Sequence, residues 1–394
     1  MGGMAQDFNF GIVADDLTGA CDTAIKFSKG NRAVAVTHRL GSIALQSSSV
    51  LAVSTNSRND EFSTVFSRTV DACAATEASG RCVSYVKIDS ALRGYPGAQV
   101  GATLQATGRS SAIISPALPS HGRRLVAGRL ESDSCAENKN MHLPTALEDQ
   151  GLHSVLHIGQ KCVRGGGSNL LRRLQDALQG AVQAIVIDAS CDEDLKNIVA
   201  VCQCLQPMPL LVGSAGLAGQ VAAFHEPQGH EMRNKVPSMP RSNGSCIFFV
   251  GSDHPTTVQQ LDRFISERDP VMIDTDSRDL RSVESGLQSG EDLVIRILWD
   301  KPEEALTEII GSDHWPGIAG VFACGGDTAQ LVCDVLDVQA INLKGEIQPG
   351  VPWGVLMGGI ADGCHISMKS GGFGDELTLE RVRQFFYGQP SCRV

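Results

Sequence analysis

No apolar stretch in the chain approaches the roughly 20 residues needed to cross a bilayer. Residues 1–10 carry no basic start followed by an apolar run, so neither a membrane span nor an export signal is expected. The 13 cysteines include no Cys-x-x-Cys pair, and Cys202 and Cys204 face different sides of a helical pattern. Disulfides and a structural zinc site are therefore not expected, and scattered thiols read as a reducing cytoplasm. Positive charge is in deficit. A formal net charge of −11 argues against nucleic acid or an anionic membrane surface as a partner.

Several familiar motifs are missing as well. No Gly-x-x-x-x-Gly-Lys-Ser/Thr loop occurs, and no Gly-x-Gly-x-x-Gly opens a helix, which disfavours a P-loop or dinucleotide fold. A Gly-x-Ser-x-Gly elbow and a His-Glu-x-x-His helix are absent too. Glycine, in contrast, is plentiful: 42 residues, clustered where apolar runs end.

At 394 residues the chain exceeds what one hydrophobic core usually serves, so two domains are expected. Short apolar runs alternate with helix-length periodic segments. Phe10–Val13, Ala33–Val36, Val50–Val53, Val83–Ile88, Ala112–Ile114, Ala184–Ile187 and Leu210–Val212 read as strands of the first half. Cys246–Val250, Val271–Ile273, Leu293–Ile297, Gly320–Ala323 and Gly354–Met357 read as strands of the second. Helical patterns such as Thr18–Ser28, Glu61–Ala78 and Asp192–Leu205 lie between them. Continuous apolar strands separated by helices predict parallel strands covered on both faces. The stretch 226–244 holds Pro227, Pro237 and Pro240 without apolar period and reads as a linker. The expected architecture is α/β, with two domains (1–225 and 245–394), each a mostly parallel sheet flanked by helices. The ligand site is expected in the cleft between them.

Ligands of open α/β sheets bind beyond the carboxyl ends of the strands, so the residues just after each strand are the candidates. Asp15-Asp16-Leu-Thr18-Gly19 puts two carboxylates at the end of a strand. Capping the next helix needs only one of them. The other is free to accept a hydroxyl proton or hold a metal. An aspartyl-phosphate hydrolase would want Asp-x-Asp, and Ala14 stands where its nucleophile should be. Lys87-Ile-Asp89-Ser90-Ala-Leu-Arg93-Gly94 gathers an ammonium, a carboxylate, a hydroxyl and a guanidinium. Such a set suits a small polyhydroxy carboxylate. Asn56-Ser57-Arg58 follows another strand, and Pro116–Arg123 reads as a rigid loop after a fourth. Arg123 and Lys369 are further cations in otherwise uncharged turns.

The second half offers bare turns instead: Gly251-Ser252, Gly325-Gly326-Asp327-Thr328, Gly358-Gly359 and Gly371-Gly372-Phe373-Gly374. Glycine lets backbone N–H groups approach phosphate oxygens, and a following helix adds favourable potential. Tight turns need glycine anyway, so one such turn means little. Four within one domain are harder to assign to turn geometry alone.

Taken in order, these segments, together with Gly213–Gly219, resemble the four-carbon acid sugar kinase family over nearly the whole chain. The resemblance implies an ATP-dependent, Mg²⁺-assisted kinase acting on the terminal hydroxyl of threonate, erythronate or a 3-oxo-tetronate. The first domain would bind the sugar acid through Asp15, Arg58, Lys87, Asp89, Ser90 and Arg93. The second would bind ATP through Gly251, Ser252, Gly325, Gly326, Asp327, Thr328, Gly358, Gly371, Gly372 and Gly374. Asp16, or else Asp15 or Asp89, would accept the hydroxyl proton, and no metal ligand is assigned. Two departures, Ala91 where the family has Thr and Leu118 where it has Phe, leave the sugar open. The sequence is compatible with a homo-oligomer. A sugar-acid sensor without turnover, or an aldolase or isomerase using Lys87 as its amine, would also use these cations. The sensor would not need four phosphate-type turns, and Asp89 favours the charged form of Lys87 over a free amine.

Overall fold

The computed structural model describes residues 9–41, 48–133, 141–226, 244–277, 280–310 and 317–389. The chain divides into two compact units, Met1–Val34 with Leu45–His230, and Ala35–Ala44 with Glu231–Val394. Apart from Glu226 and Gly244, the expected linker 226–244 lies outside the described residues.

The first unit runs β1 (Phe10–Ala14), α1 (Leu17–Ala24), β2 (Val34–Thr37), β3 (Val50–Ser54), α2 (Phe62–Ala78), β4 (Cys82–Lys87), α3 (Pro96–Thr107) and β5 (Ala112–Ser115). Only Val34 of β2 belongs to it. A hairpin of β6 (Arg123–Val126) and β7 (Arg129–Ser132) follows, then α4 (Leu143–Asp149), β8 (Val155–Ile158), α5 (Gln160–Arg164) and α6 (Gly167–Gln179). β9 (Ala184–Ile187), α7 (Asp192–Cys202), β10 (Leu210–Gly213) and α8 (Ala215–Phe224) complete it. Its sheet has the order β3-β1-β4-β10-β5-β9-β8, parallel throughout. The strands are apolar because helices cover both faces: every residue of β1, β3, β5, β9 and β10 is buried. Helix α6 shows the complementary pattern, burying Leu170, Leu174 and Ala177 along one stripe. Because β3 lies on one side of β1 and β4 on the other, the strand order switches at β1. A crevice opens at such a switch point, beyond the carboxyl ends of the strands.

The second unit runs β11 (Ser245–Val250), α9 (Pro255–Arg268), β12 (Val271–Asp274), α10 (Leu280–Ser289), β13 (Leu293–Arg296) and α11 (Pro302–Ile309). It continues with β14 (Ile318–Cys324), α12 (Gly326–Val335), β15 (Ala340–Gln348), β16 (Val351–Met357), β17 (His365–Lys369) and α13 (Thr378–Phe386). The order is β12-β13-β11-β14-β17-β16-β15. The first five strands are parallel, and β16 and β15 are antiparallel to their neighbours. Again the order switches, here between β11 and β14. Residues 35–44 belong to this unit, where Thr37 Oγ1 donates to Gln339 O over 2.7 Å. Its core gathers Phe248, Phe264, Phe322, Trp353, Phe385 and Phe386. A Cβ on Gly320 would overlap the Phe386 ring, so glycine there lets α13 pack onto β14.

The expected run Gly354–Met357 is the end of β16, and its direction differs from expectation. It pairs antiparallel with β17, and Val355 sits opposite His365, the first residue of β17. The carboxyl end of β16 therefore points away from those of β11, β14 and β17. Strands β8, β15 and β17 and the β6–β7 hairpin had no counterpart in the apolar pattern.

Candidate functional site

The charged residues after the strands of the first unit meet at its switch point. Asp16 caps α1: its Oδ1 accepts from Gly19 N (2.9 Å), and its Oδ2 accepts from Thr18 Oγ1 (2.6 Å). Arg58 reaches both acids. Its Nε and Nη2 donate to Asp15 (2.7 and 2.8 Å), and its Nη1 and Nη2 donate to Asp16 (2.9 and 2.6 Å). Arg93 closes on Asp89 through Nε (2.9 Å), Nη2 (3.3 Å) and its own backbone N (3.2 Å). Arg58 Nη2 also lies 3.9 Å from Asp89 Oδ1.

Backbone conformation holds these loops. Leu92 is buried in the core and adopts φ 58, a region a branched side chain rarely occupies. Gly94 follows at φ 75, and a Cβ there would come within 2.9 Å of Arg58 O. Glycine thus lets the Asp89–Arg93 turn lie directly against the Arg58 loop.

Burial opposes charge on Asp16, but Arg58 and Lys87 outweigh it and hold the carboxyl below its usual value. Burial likewise opposes charge on Asp89, and Arg58 and Arg93 hold it well below. For Arg58 burial again disfavours the charge, while Asp15, Asp16 and Asp89 raise the guanidinium well above its ordinary range. All three carboxylates and two of the arginines are therefore locked together.

Lys87 is different. It is buried at 5% exposure, and its ammonium lies so near Gly19 that a Cβ there would sit 2.9 Å from Nζ. Among the described residues it makes neither a hydrogen bond nor an ion pair. Arg123 arrives from the turn after Leu118, and its Nη1 donates to Ser90 Oγ. Burial lowers the Arg123 pKa, an effect that Asp89 partly offsets. Ser90 is thus engaged by a residue that the sequence marked as a turn cation but not as a site residue. Four cations (Arg58, Lys87, Arg93, Arg123) face three carboxylates (Asp15, Asp16, Asp89), which leaves room for one more negative charge.

In the second unit the turns after β11, β14 and β17 converge, because these strands are neighbours running the same way. Gly325 caps α12 at φ 111, and its N–H is taken by Lys369 O (3.0 Å). The first N–H groups of α12 have no helical acceptor. Thr328 Oγ1 is buried without a hydrogen-bond partner, and a Cβ on Gly325 would sit 3.2 Å from it. A Cβ on Gly251 would overlap the same oxygen, and one on Gly371 would overlap Ser252 Oγ. Gly374 turns the chain at φ 83 and leads toward α13. His254, absent from the candidates, caps α9 by accepting at Nδ1 from Thr256 N (3.2 Å). In the neutral ring the proton then sits on Nε2, which lies 3.0 Å from where a Gly372 Cβ would be. Trp299 was also missed. It is 51% exposed, and its Nε1 donates to Gly251 O (3.1 Å).

Gly358 does not join this group. It follows the antiparallel β16 and packs on Gln339 at the other end of the sheet. Its role there is a turn, at φ 77. Among the described residues no group of three His, Cys, Asp or Glu side chains is placed to hold a metal.

Residues 10–221 match the family model described as a sugar-binding N-terminal domain, and residues 258–379 match one described as a nucleotide-binding C-terminal domain. A D-threonate kinase of Bordetella bronchiseptica is 28% identical over 411 residues, 95% of this chain and 96% of its own. A 3-oxo-tetronate kinase of Pseudomonas fluorescens is 25% identical, over 92% of this chain and 94% of its own. The crystal structure of a Haemophilus influenzae protein shares the fold, with a TM-score of 0.71 at 19% identity. It covers 95% of this chain and 100% of that one.

Proposed function

The chain belongs to the family of the sugar-binding N-terminal domain, and on that premise we propose that it is an ATP-dependent kinase of a four-carbon acid sugar. The phosphoryl group goes to the terminal, C4 hydroxyl of a threonate, an erythronate or a 3-oxo-tetronate. The observation that carries this reading is the division of labour between the two switch points. One is a buried cluster of charged side chains with one cation in excess. The other is nearly bare backbone, with helix N–H groups and glycines brought together.

The substrate carboxylate supplies the negative charge that the first cluster lacks. Lys87 is its natural partner, since Arg58 and Arg93 are already held by Asp15, Asp16 and Asp89. On this reading Arg58 and Arg93 organise the acids and Lys87 takes the carboxylate. Asp16 accepts the hydroxyl proton as it leaves in the transfer. Its low proton affinity suits a loose transition state, in which positioning and charge neutralisation dominate and the proton moves late.

In the second unit the α12 N-terminus, Ser252 and the Gly371-Gly372 turn hold the ATP phosphates. Mg²⁺ would come bound to the nucleotide phosphates and would need no cage of protein ligands. It supplies charge neutralisation on the transferred group. The test is incubation of purified protein with MgATP and a panel of four-carbon acids, followed for ADP. Release of ADP with none of them rejects the reading.

A further inference from the structure

Lys369 ends β17 with its entire side chain inside the second unit, at 1% exposure. Its Nζ donates to Gly371 O (2.8 Å), Thr257 Oγ1 (3.2 Å) and Ser370 O (3.3 Å). Thr257 Oγ1 in turn donates to Gly371 O (2.8 Å). Lysine is almost never fully buried unless paired with a charge, yet these partners are two backbone carbonyls and a hydroxyl. Burial lowers the Lys369 pKa, with only the Cys324 thiol of β14 raising it. A desolvated ammonium is costly, and an apolar side chain would fill the same space without that cost. Its bonds tie down two consecutive carbonyls of the turn, the Gly371 one most closely, while Ser370 O also accepts from Phe373 N (3.0 Å).

A trans peptide points its C=O and the following N–H in opposite directions. With Ser370 C=O and Gly371 C=O turned toward Nζ, the N–H groups of Gly371 and Gly372 must turn away from it. Both glycines are half-buried, and neither N–H has an acceptor among the described residues. We propose that Lys369 is a positioning residue of the nucleotide site, whose inward grip on the two carbonyls presents the Gly371 and Gly372 N–H groups to the nucleotide phosphates. Its charge, behind the turn and away from water, adds to the pull on the anion. The proposal rests on the reading that the second unit binds ATP.

Calorimetric titration with MgADP and, separately, with adenosine distinguishes the two levels. Wild-type protein that binds no MgADP removes the nucleotide reading, and this proposal with it. If the wild type binds, Lys369→Met should weaken MgADP by about 10-fold or more and leave adenosine unchanged, because only the phosphates meet the turn. In turnover the same variant should raise KM for ATP and leave KM for the acid sugar as it was. Equal MgADP affinity in wild type and variant overturns the proposal while the nucleotide reading stands. Equal weakening of MgADP and adenosine overturns it too, since that marks general damage. If Lys369→Met lacks a cooperative melt, Thr257→Val decides. It removes one of the bonds to Gly371 O and should weaken MgADP by about 3-fold, and an unchanged affinity overturns the proposal.

Discussion

Arg58 and Asp16 lie 42 residues apart in sequence and are joined by two hydrogen bonds, of 2.9 and 2.6 Å. The same guanidinium holds Asp15 through two more, so one cation neutralises a pair of adjacent buried acids. Removing it strands both. Arg58→Met should lower the unfolding free energy by about 3–5 kcal/mol, the usual cost of breaking a buried pair from one side. Urea denaturation of the variant checks this, and a loss below about 1 kcal/mol would mean that the acids find other partners.

The same pairing sets the acid limit of stability. Asp16 and Asp89 are held below the ordinary carboxylate value when folded, so the unfolded chain takes up their protons first. Their contribution is complete above about pH 4 and is lost as pH falls through the lower folded values. Melting temperatures from pH 7 to pH 3 should stay level and then drop. Asp89→Asn should show a shallower drop, and an identical profile would take Asp89 out of the account.

On the proposed reading, buried Lys87 is the cation that meets the substrate carboxylate. Lys87→Met should raise KM for the acid sugar by about 10- to 100-fold, the worth of a hydrogen bond to a charged group. KM for ATP should stay constant, and the melting temperature should barely move. Steady-state kinetics at varied acid and fixed ATP give the answer.

Asp16→Asn should lower kcat by about 10²–10⁴-fold, the typical worth of a positioned base, with MgADP affinity retained. Thr18→Val serves as a control, because it removes a hydrogen bond to Asp16 and keeps the carboxylate. An unchanged kcat in Asp16→Asn would move the role to Asp15 or Asp89.

Gly325 stands at φ 111 at the start of α12. Gly325→Ala should cost about 1–3 kcal/mol of backbone strain and raise KM for ATP, leaving KM for the acid sugar unchanged. Parallel titration of the two substrates separates the effects.

Much of this was legible in the sequence, and for an identifiable reason. Alternating buried strands and helices force polar residues to the strand ends, so Asp15, Asp16, Lys87 and Asp89 could be located without coordinates. The local pattern carried no information about partners. Nothing near Arg58 signals that its charge is spent on acids 43 and 42 residues earlier in the chain rather than on a ligand. Strand direction was equally hidden, since an apolar run such as Gly354–Met357 reads the same either way, and Gly358 was misplaced with it. Lys369 beside Ser-Gly-Gly looks like an exposed turn cation. Only the position of β17 between β14 and β16 turns it inward. Arg123 stood out as a turn cation, but its contact with Ser90 did not, because the short β6–β7 hairpin that begins with it has too few apolar residues to be read.

The most direct test of the central claim follows the transferred phosphate itself. Incubation with MgATP and each four-carbon acid, read by phosphorus NMR, should give a phosphomonoester coupled to the C4 protons of at least one acid, with one ADP per ester. ADP formed without any sugar ester, or an ester at another carbon, would contradict the account.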